Sequence, residues 1–188
     1  MKKTLVLGST GGIGNAVCAL LAEQGHEVIV LNRGEIHGIS QILSNEKPDW
    51  VFNCIGVLGD NQSSFNEVFD ANVSISWEII KHYLGCLSAN VRVVMVGSTS
   101  YESGRKNYIL YSASKAALHN MWQGACENFE GTNIFLGLIH PGSVDTPMIA
   151  HLPKKANILS PQDVAASMVD LAKSMKAHQS IVQIIKKK

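Results

Sequence analysis

Short apolar runs of strand length alternate with segments of helical periodicity from one end of this 188-residue sequence to the other. The candidate strands are residues 4–7, 27–31, 50–55, 91–97, 133–139 and 180–185. Runs that are apolar at nearly every position suit parallel strands, because helices then cover both faces of the sheet. The pattern therefore predicts a single α/β domain over residues 1–188, with a doubly wound parallel sheet in three αβα layers.

The helical segments lie between these runs. Apolar residues at helical spacing cover residues 13–21, 73–87 and 111–129, and the first of these stretches ends at Gly25. Near the C-terminus, Ser160-Pro161-Gln162-Asp163 combines an N-cap serine, a proline at the first helical position and an acid in the first turn. This segment predicts the start of another helix.

Composition excludes several classes of protein. The formal net charge is +1 and the basic residues are dispersed apart from the last three lysines, so we expect no nucleic-acid partner. Cys18, Cys54, Cys86 and Cys126 form no Cys-x-x-Cys pair, so we expect reduced core cysteines and no metal site. The apolar run before Gly8 is too short for a signal peptide or a membrane span, which predicts a cytoplasmic protein with no membrane contact.

A glycine-rich turn follows the first strand and opens the first helix. It reads Gly8-Ser9-Thr10-Gly11-Gly12-Ile13-Gly14. Glycines allow the backbone to approach a pyrophosphate, and a helix N-terminus offers free N–H groups to it. The turn therefore predicts a dinucleotide-binding loop, and a glycine-rich turn that binds nothing is the alternative.

The end of the second strand bears on the choice of cofactor. An acid there accepts hydrogen bonds from the adenosine ribose, whereas a base there holds a 2′-phosphate. This sequence reads Leu31-Asn32-Arg33, with a guanidinium and no acid at the tip. It favours NADP(H) over NAD(H), unless Arg33 is a surface arginine without a ligand.

Tyr111 and Lys115 lie four residues apart on a predicted helix, so they share one face. An ammonium beside a phenol favours the phenolate and lowers the pKa of the phenol. A phenol that exchanges a proton near neutral pH suits the reduction of a ketone or the oxidation of an alcohol. A half-buried tyrosine and a solvated lysine without a catalytic role are the alternative.

These features together resemble the short-chain dehydrogenase/reductase family. The matching positions are Gly8, Gly12 and Gly14 of its Gly-x-x-x-Gly-x-Gly loop, the Asn53-Cys54-Ile55-Gly56 turn, Asn72-Val73 at a helix start, Ser98 thirteen residues before Tyr111, and the Pro141-Gly142-Ser143-Val144-Asp145-Thr146 turn. The resemblance covers nearly the whole chain and implies a Rossmann-like parallel sheet.

The resemblance also implies roles for individual residues. Tyr111 would be the general acid in reduction and the base in oxidation, and Lys115 would lower its pKa and bind the nicotinamide ribose. Ser98 would bind the substrate carbonyl oxygen, for which only Ser98, and not Ser100, has the family spacing. Asn72 would hold a water of a proton relay, or cap a helix, or both. The expected cofactor contacts are Gly8, Ser9, Thr10, Gly12, Ile13, Gly14, Asn32, Arg33, Asn53, Cys54, Ile55, Gly56, Tyr111, Lys115, Pro141, Gly142, Val144 and Thr146.

The sequence departs from the family pattern between residues 34 and 49. This gap is too short for the usual helix, third strand and second helix, and the family's Asp-Val pair at the adenine is absent. We expect one helix there, with the third strand absent or reduced to a short strand near residues 36–39. Gly11 stands where NADP-binding relatives often carry a base, so we expect Arg33 to be helped at most by Ser9 or Thr10.

Two further features lie near the expected active site. Met148, Ile149 and Leu152 follow the Pro141 turn, which favours an apolar lid over a small, rather hydrophobic substrate, with a plain connecting loop as the alternative. His140 precedes Pro141 where a small residue is more usual. It is either a pH sensor beside the nicotinamide or, as we favour, a hydrogen-bonded structural histidine.

The sequence thus predicts an NADP(H)-dependent oxidoreductase that transfers hydride between the nicotinamide and a small carbonyl or alcohol substrate. The alternative is an NADP-binding regulatory or signalling protein with the same fold and little turnover. The family usually pairs the helix after Asn72 and the helix of Tyr111 with their copies, so we expect a homodimer or homotetramer. Large apolar residues on these helices serve there or in the core: Trp77, Tyr83, Met121 and Trp122.

Overall fold

The computed structural model describes residues 1–35, 38–153 and 156–175, and the backbone of residues 181–185. Six strands form one sheet: β1 (Lys3–Leu7), β2 (Glu27–Leu31), β3 (Trp50–Asn53), β4 (Asn90–Val96), β5 (Asn133–Pro141) and β6 (Ile181–Ile185). Their order is β2-β1-β3-β4-β5-β6, and every pairing is parallel. The predicted strands are confirmed to within two residues at each end, apart from Ser180, which lies outside the described residues.

The helices lie on both faces of the sheet. They are α1 (Gly12–Glu23), α2 (Ile39–Glu46), α3 (Phe65–Phe69), α4 (Ile75–Leu84), α5 (Ile109–Asn128) and α6 (Pro161–Ser174). Buried residues of α2, α4 and α5 pack with one face of the sheet, and those of α1 and α6 pack with the other. The prediction of a doubly wound α/β sheet is therefore confirmed.

The shortened gap after β2 determines which strand lies at the sheet edge. Ile39 begins α2 instead of ending a strand, and residues 36 and 37 lie outside the described part of the chain. In the described chain no strand therefore pairs with the outer side of β2, which is an edge strand, and its Val30 is 47% exposed. Among the described residues, the third strand of the family pattern is absent from the sheet.

A π-helical turn over Asp70–Ser74 joins α3 to α4. The predicted helix from residue 73 therefore begins earlier, at Phe65, and the widened turn contains Asn72. Such π-turns occur mostly as single turns within α-helices, frequently at functional sites.

Large apolar residues on α4 and α5 divide between core and surface. Tyr83 and Trp122 are 4% and 6% exposed and belong to the core, so they are not available for contacts between copies of the chain. Trp77 is 42% exposed. No helix in the described ranges is both long and apolar enough to cross a membrane.

The predicted cap of α6 can be tested by mutation. Ser160 Oγ accepts a hydrogen bond from Asp163 N at 3.1 Å, and Asp163 Oδ2 accepts one from Ser160 N at 2.9 Å. Ser160→Ala removes the side-chain acceptor, so we expect the free energy of unfolding to fall by about 1 kcal/mol in urea titrations followed by circular dichroism.

Ser167 provides a matched control in the same helix. Its hydroxyl donates to the Asp163 carbonyl and caps no helix end. We expect Ser167→Ala to change the free energy of unfolding by less than about 0.5 kcal/mol. Equal losses in the two variants would contradict the capping role of Ser160.

Candidate active site

The carboxyl ends of the parallel strands meet at one edge of the sheet, where the loops after β1, β3, β4 and β5 surround a cavity of about 550 Å³. Of the predicted site residues, those that line it are Gly8, Thr10, Gly12, Ile13, Arg33, Cys54, Ile55, Gly56, Ser98, Tyr111, Lys115, Pro141, Gly142, Val144 and Thr146. Ser9, Gly14, Asn32, Asn53 and Asn72 are not among the residues that line it. The structure thus brings the predicted segments together around one cavity.

The glycine loop folds tightly over the start of α1. Gly8 has a φ of +83°, and a Cβ on Gly14 would lie 2.1 Å from the Gly8 carbonyl oxygen. Any side chain at position 14 would therefore force the loop backbone to move. The first turn of α1 carries no acid, so the positive end of the helix lies uncompensated at the cavity.

The end of β2 carries both a base and an acid. Arg33 is exposed and lines the cavity. Asn32 Oδ1 accepts hydrogen bonds from Ser9 Oγ, Thr10 N and Thr10 Oγ1 at 3.1 to 3.3 Å, and Asn32 N donates to Glu35 Oε2 at 2.7 Å. The 3₁₀ turn Arg33–Glu35 brings this acid back to the strand end. Glu35 was not predicted as a site residue, because it is this 3₁₀ turn, and not its position in the sequence, that brings it beside the strand end.

Hydrogen bonds of the buried Asn53 side chain hold the turn after β3 in place. Asn53 is 3% exposed, its Nδ2 donates to Ser76 Oγ at 2.9 Å, and its Oδ1 accepts from Ile55 N at 3.2 Å. The Asn53 side chain therefore shapes the turn and does not reach the cavity. Cys54 lines the cavity, and burial raises the pKa of its thiol.

Asn72 joins the helical segment α3–α4 to two other parts of the site. Its Oδ1 accepts from Val57 N at 2.9 Å, and its Nδ2 donates to Val57 O and to Ser114 Oγ, each at 3.0 Å. Asn72 is 2% exposed, in the middle of the π-turn rather than at a helix end. The alternative that it caps a helix is therefore wrong.

Ser98 and Tyr111 form the polar pair at the centre of the cavity. Ser98 follows β4, is 8% exposed, and its Oγ accepts a hydrogen bond from Ser100 N at 3.1 Å. Burial raises the pKa of Tyr111, and a hydrogen bond with the Ser98 side chain lowers it by a smaller amount. Ser100 also lines the cavity, but the hydrogen bond to the phenol comes from Ser98.

Lys115 lies behind the phenol. It is 3% exposed, its Nζ donates to Val96 O at 2.9 Å, and Nζ is 5.8 Å from the centre of the Tyr111 ring. Burial lowers the pKa of Lys115 to about 8. The expectation that Lys115 lowers the pKa of Tyr111 is not met in this structure, because the ammonium points at a backbone carbonyl and burial dominates at the phenol.

The Pro141 turn and the segment after it close the cavity on the far side. Asp145 N donates to Leu159 O and Leu159 N donates to Ser143 O, which ties the two ends of this segment together. Met148, Ile149 and Leu152 line the cavity, as the lid prediction requires. A Cβ on Gly12 would lie 2.6 Å from Thr146 Cγ2, so this segment packs directly on the glycine loop.

One side of the cavity was not predicted. Leu58 and the loop from Arg105 to Tyr108 line it next to Tyr111. The only signal in the sequence was the position of this loop directly before the tyrosine. Neither aspartate nor glutamate is among the described residues that line the cavity, so its charge suits anionic ligands.

A family model described as enoyl-(acyl carrier protein) reductase matches residues 38–184. Carbonyl reductase family member 4 of Danio rerio is 26% identical over 214 residues, covering 90% of each chain. The 3-oxoacyl-[acyl-carrier-protein] reductase MabA of Mycobacterium tuberculosis is 24% identical over 182 residues, covering 82% of this chain and 74% of its own length.

Solved structures show the same fold. A 3-alpha-hydroxysteroid dehydrogenase from a Pseudomonas species, complexed with NADH, superposes with a TM-score of 0.81 at 19% identity, covering 97% of this chain and 94% of its own. A short chain dehydrogenase from Burkholderia cenocepacia, in complex with NADP, also gives 0.81, at 14% identity over 97% and 87% of the two chains. The chain therefore belongs to the short-chain dehydrogenase/reductase family of NAD(P)-dependent oxidoreductases.

Proposed function

We propose that this protein is an NADP(H)-dependent reductase or dehydrogenase that transfers hydride between the nicotinamide and a small carbonyl or alcohol substrate. The observation that carries the proposal is that Ser98 and Tyr111 line one cavity together with the buried Lys115. The names of the relatives support it, since they include a carbonyl reductase and a 3-oxoacyl reductase.

The residues present fit a dinucleotide. The Gly8 to Gly14 loop and the N-terminus of α1 would hold the pyrophosphate, because their N–H groups and positive helix end meet a cavity whose described lining contains no carboxylate. The backbone at Pro141, Gly142 and Val144 would hold the nicotinamide end. When bound, the cofactor supplies or accepts the hydride, and the remaining chemistry falls to the chain's own residues.

The phenol of Tyr111 transfers the proton in the proposed reaction. In reduction, Tyr111 donates its proton to the substrate oxygen while the Ser98 hydroxyl donates a hydrogen bond to the same atom. Below its pKa of about 8, Lys115 carries a positive charge, and we propose that its ammonium donates a hydrogen bond to the nicotinamide ribose.

A route for returning the proton lies behind Lys115. A Cβ on Gly56 would be 3.0 Å from Asn72 Oδ1 and 3.6 Å from Lys115 Nζ, so both atoms face the same point. Asn72 Oδ1 accepts one hydrogen bond from Val57 N and has capacity for a second. This geometry supports the proposal that Asn72 holds a water of a relay to Lys115.

The substrate end of the cavity is mainly apolar. Leu58, Met148, Ile149 and Leu152 line it, together with Arg105 and Lys106 on its rim. We propose a small substrate with an apolar body, covered by the Pro147–Ile149 segment.

The preference for NADP(H) rests on Arg33. Its guanidinium lies at the cavity and makes no ion pair within the described chain, so it is free to pair with a 2′-phosphate. Glu35 opposes this preference, but its carboxylate already accepts a hydrogen bond from Asn32 N.

A cofactor-binding regulator with little turnover is the second candidate. The short region after β2 favours it, because β2 is a sheet edge and no Asp-Val pair is available at the adenine. We also propose that copies of the chain pair through α4 and α5, where Trp77 and Ile109 are exposed apolar residues.

The glycine loop is tested by two single substitutions. Gly14→Ala places a methyl group on the Gly8 carbonyl, so we expect NADPH affinity, measured by fluorescence titration, to fall by at least about tenfold. Gly11→Ala is the matched control, because its Cβ would be 3.4 Å from the same oxygen, and affinity should change by less than about threefold. Equal effects would contradict the loop assignment.

Tyr111→Phe tests the proton donor. Removal of the hydroxyl should lower kcat for NADPH-dependent reduction by at least about 100-fold while NADPH still binds. Tyr108→Phe is the comparison, because Tyr108 offers the other phenol in the cavity. Loss in Tyr108→Phe alone would move the assignment to Tyr108. Tight NADPH binding without turnover of any ketone, aldehyde or quinone by the wild type would favour the regulator.

Two substitutions of opposite charge test the cofactor preference. Arg33→Ala should weaken NADPH binding by about tenfold and leave NADH affinity nearly unchanged. Glu35→Gln should strengthen NADPH binding, because it removes a negative charge near the 2′-phosphate while an oxygen remains to accept from Asn32 N. Equal loss of both cofactors in Arg33→Ala would refute the 2′-phosphate role.

A further inference from the structure

His140 is a fully buried imidazole in contact with the backbone of Ser98. It lies in β5, and its Nδ1 is 3.0 Å from both the N and the O of Ser98. A Cβ on the neighbouring Gly97 would lie 2.3 Å from Nδ1, so only glycine leaves room for the ring. The imidazole therefore fixes the chain at the point where β4 runs into Ser98.

A second histidine completes the hydrogen bonding. His119 of α5 places its Nδ1 3.0 Å from His140 Nε2. Tyr101 stacks on both rings, with centroid distances of 3.9 Å to His140 and 4.4 Å to His119. His119 is partly exposed, so this pair connects the Ser98 backbone to the solvent.

The hydrogen-bond pattern assigns one tautomer to the neutral pair. Ser98 O already accepts from Tyr101 N at 3.1 Å. When His140 carries its proton on Nε2, it donates to His119 Nδ1 and its Nδ1 accepts from Ser98 N. In the other tautomer, His140 carries its proton on Nδ1, so this N–H group faces the N–H of Ser98. The buried Ser98 N–H would then have no acceptor.

The surroundings of both rings disfavour protonation. Burial lowers the pKa of His140 to about 4, and the nearby charges of His119 and Lys115 contribute to this. Burial also lowers the pKa of His119. The ionisable groups facing the pair are Lys115 from α5 and Tyr101 from the Thr99–Tyr101 turn, and neither imidazole has a carboxylate ion-pair partner in the described chain.

A proton on His119 would reverse the bond between the rings. His119 would then donate from Nδ1, so His140 would have to accept at Nε2 and carry its own proton on Nδ1. One proton is taken up from solvent, and the single N–H of His140 moves from Nε2 to Nδ1. His140 Nδ1 then no longer accepts from Ser98 N and faces Ser98 O instead.

We propose that His140 and His119 are positioning residues that hold Ser98 for substrate binding, and that protonation of His119 releases this hold. The inference rests on the proposed role of Ser98 in carbonyl reduction. Because the neutral histidine pair is the form that holds Ser98, activity is full at neutral pH. Activity falls as the pH drops through the pKa of His119, which lies below its usual value.

The test is a pH profile of kcat in the reduction direction at saturating NADPH. Reduction needs Tyr111 protonated, so the phenol itself causes no loss of activity in acid. We expect wild-type kcat to fall at least about tenfold as the pH is lowered from about 7.5 through the pKa of His119. His119→Asn keeps an acceptor but does not titrate, so its kcat should stay within about threefold over the same range. His82→Asn is the control, and its kcat should fall at low pH as in the wild type. If kcat of His119→Asn fell at low pH as much as that of the wild type, the proposal would be overturned.

Substitution at His140 separates positioning from mere packing. His140→Asn keeps an acceptor for Ser98 N and should retain most of kcat, whereas His140→Leu should lose about 10- to 100-fold in kcat with little change in the KM for NADPH. Equal activity of the two variants would refute the positioning role.

Nitrogen NMR of the histidine rings tests the pair without turnover. At about pH 7.5 we expect a protonated Nε2 and an unprotonated Nδ1 on His140, and exchange of the two forms as the pH falls through the pKa of His119, which burial lowers. A protonated Nδ1 at neutral pH would overturn the inference. If no carbonyl substrate is reduced, the proposed function fails while the ring assignment still stands or falls by this spectrum.

Discussion

Parallel pairing of β1 between β2 and β3 is the constraint on which the rest of the structure depends. Leu5, Val6 and Leu7 are fully buried, and each strand of the pairing runs in the same direction. Because the strands are parallel, all their carboxyl ends lie at one edge, so residues far apart in sequence meet there. Gly8, Cys54, Ser98 and Gly142 share one cavity for this reason alone.

Hydrogen bonds behind the cavity then fix the side chains within it. The side-chain amides of Asn53 and Asn72 form hydrogen bonds with the neighbouring backbone and with serines. The ammonium of Lys115 donates a hydrogen bond to the carbonyl of Val96. These contacts are buried, where losing one partner costs about 1–3 kcal/mol. The site is therefore preorganised in part by Asn53 and Asn72, which do not line the cavity, so substitutions at these buried residues should affect the reacting groups.

Much of this arrangement could be predicted from local sequence. Apolar runs identify buried parallel strands because burial on both faces leaves no polar alternation, and Ser160-Pro161-Gln162-Asp163 marks a helix start by its own chemistry. Glu35 and His119 could not be predicted, because a 3₁₀ turn and a contact across 21 residues decide where they lie. For Tyr83 and Trp122 the sequence left core and interface open, because side-chain size alone does not tell a core face from an interface, and the structure places both in the core.

The direction of the pKa shift of Tyr111 could not be predicted from residue spacing alone. The ammonium at i+4 is expected to lower this pKa, yet burial raises it, and the smaller opposing contribution comes from the hydrogen bond with Ser98. The ammonium of Lys115 lies 5.8 Å from the ring centre and donates to the Val96 carbonyl. At neutral pH the phenol is therefore protonated, which is the form that reduction needs. Oxidation needs the phenolate, whose formation the buried site opposes.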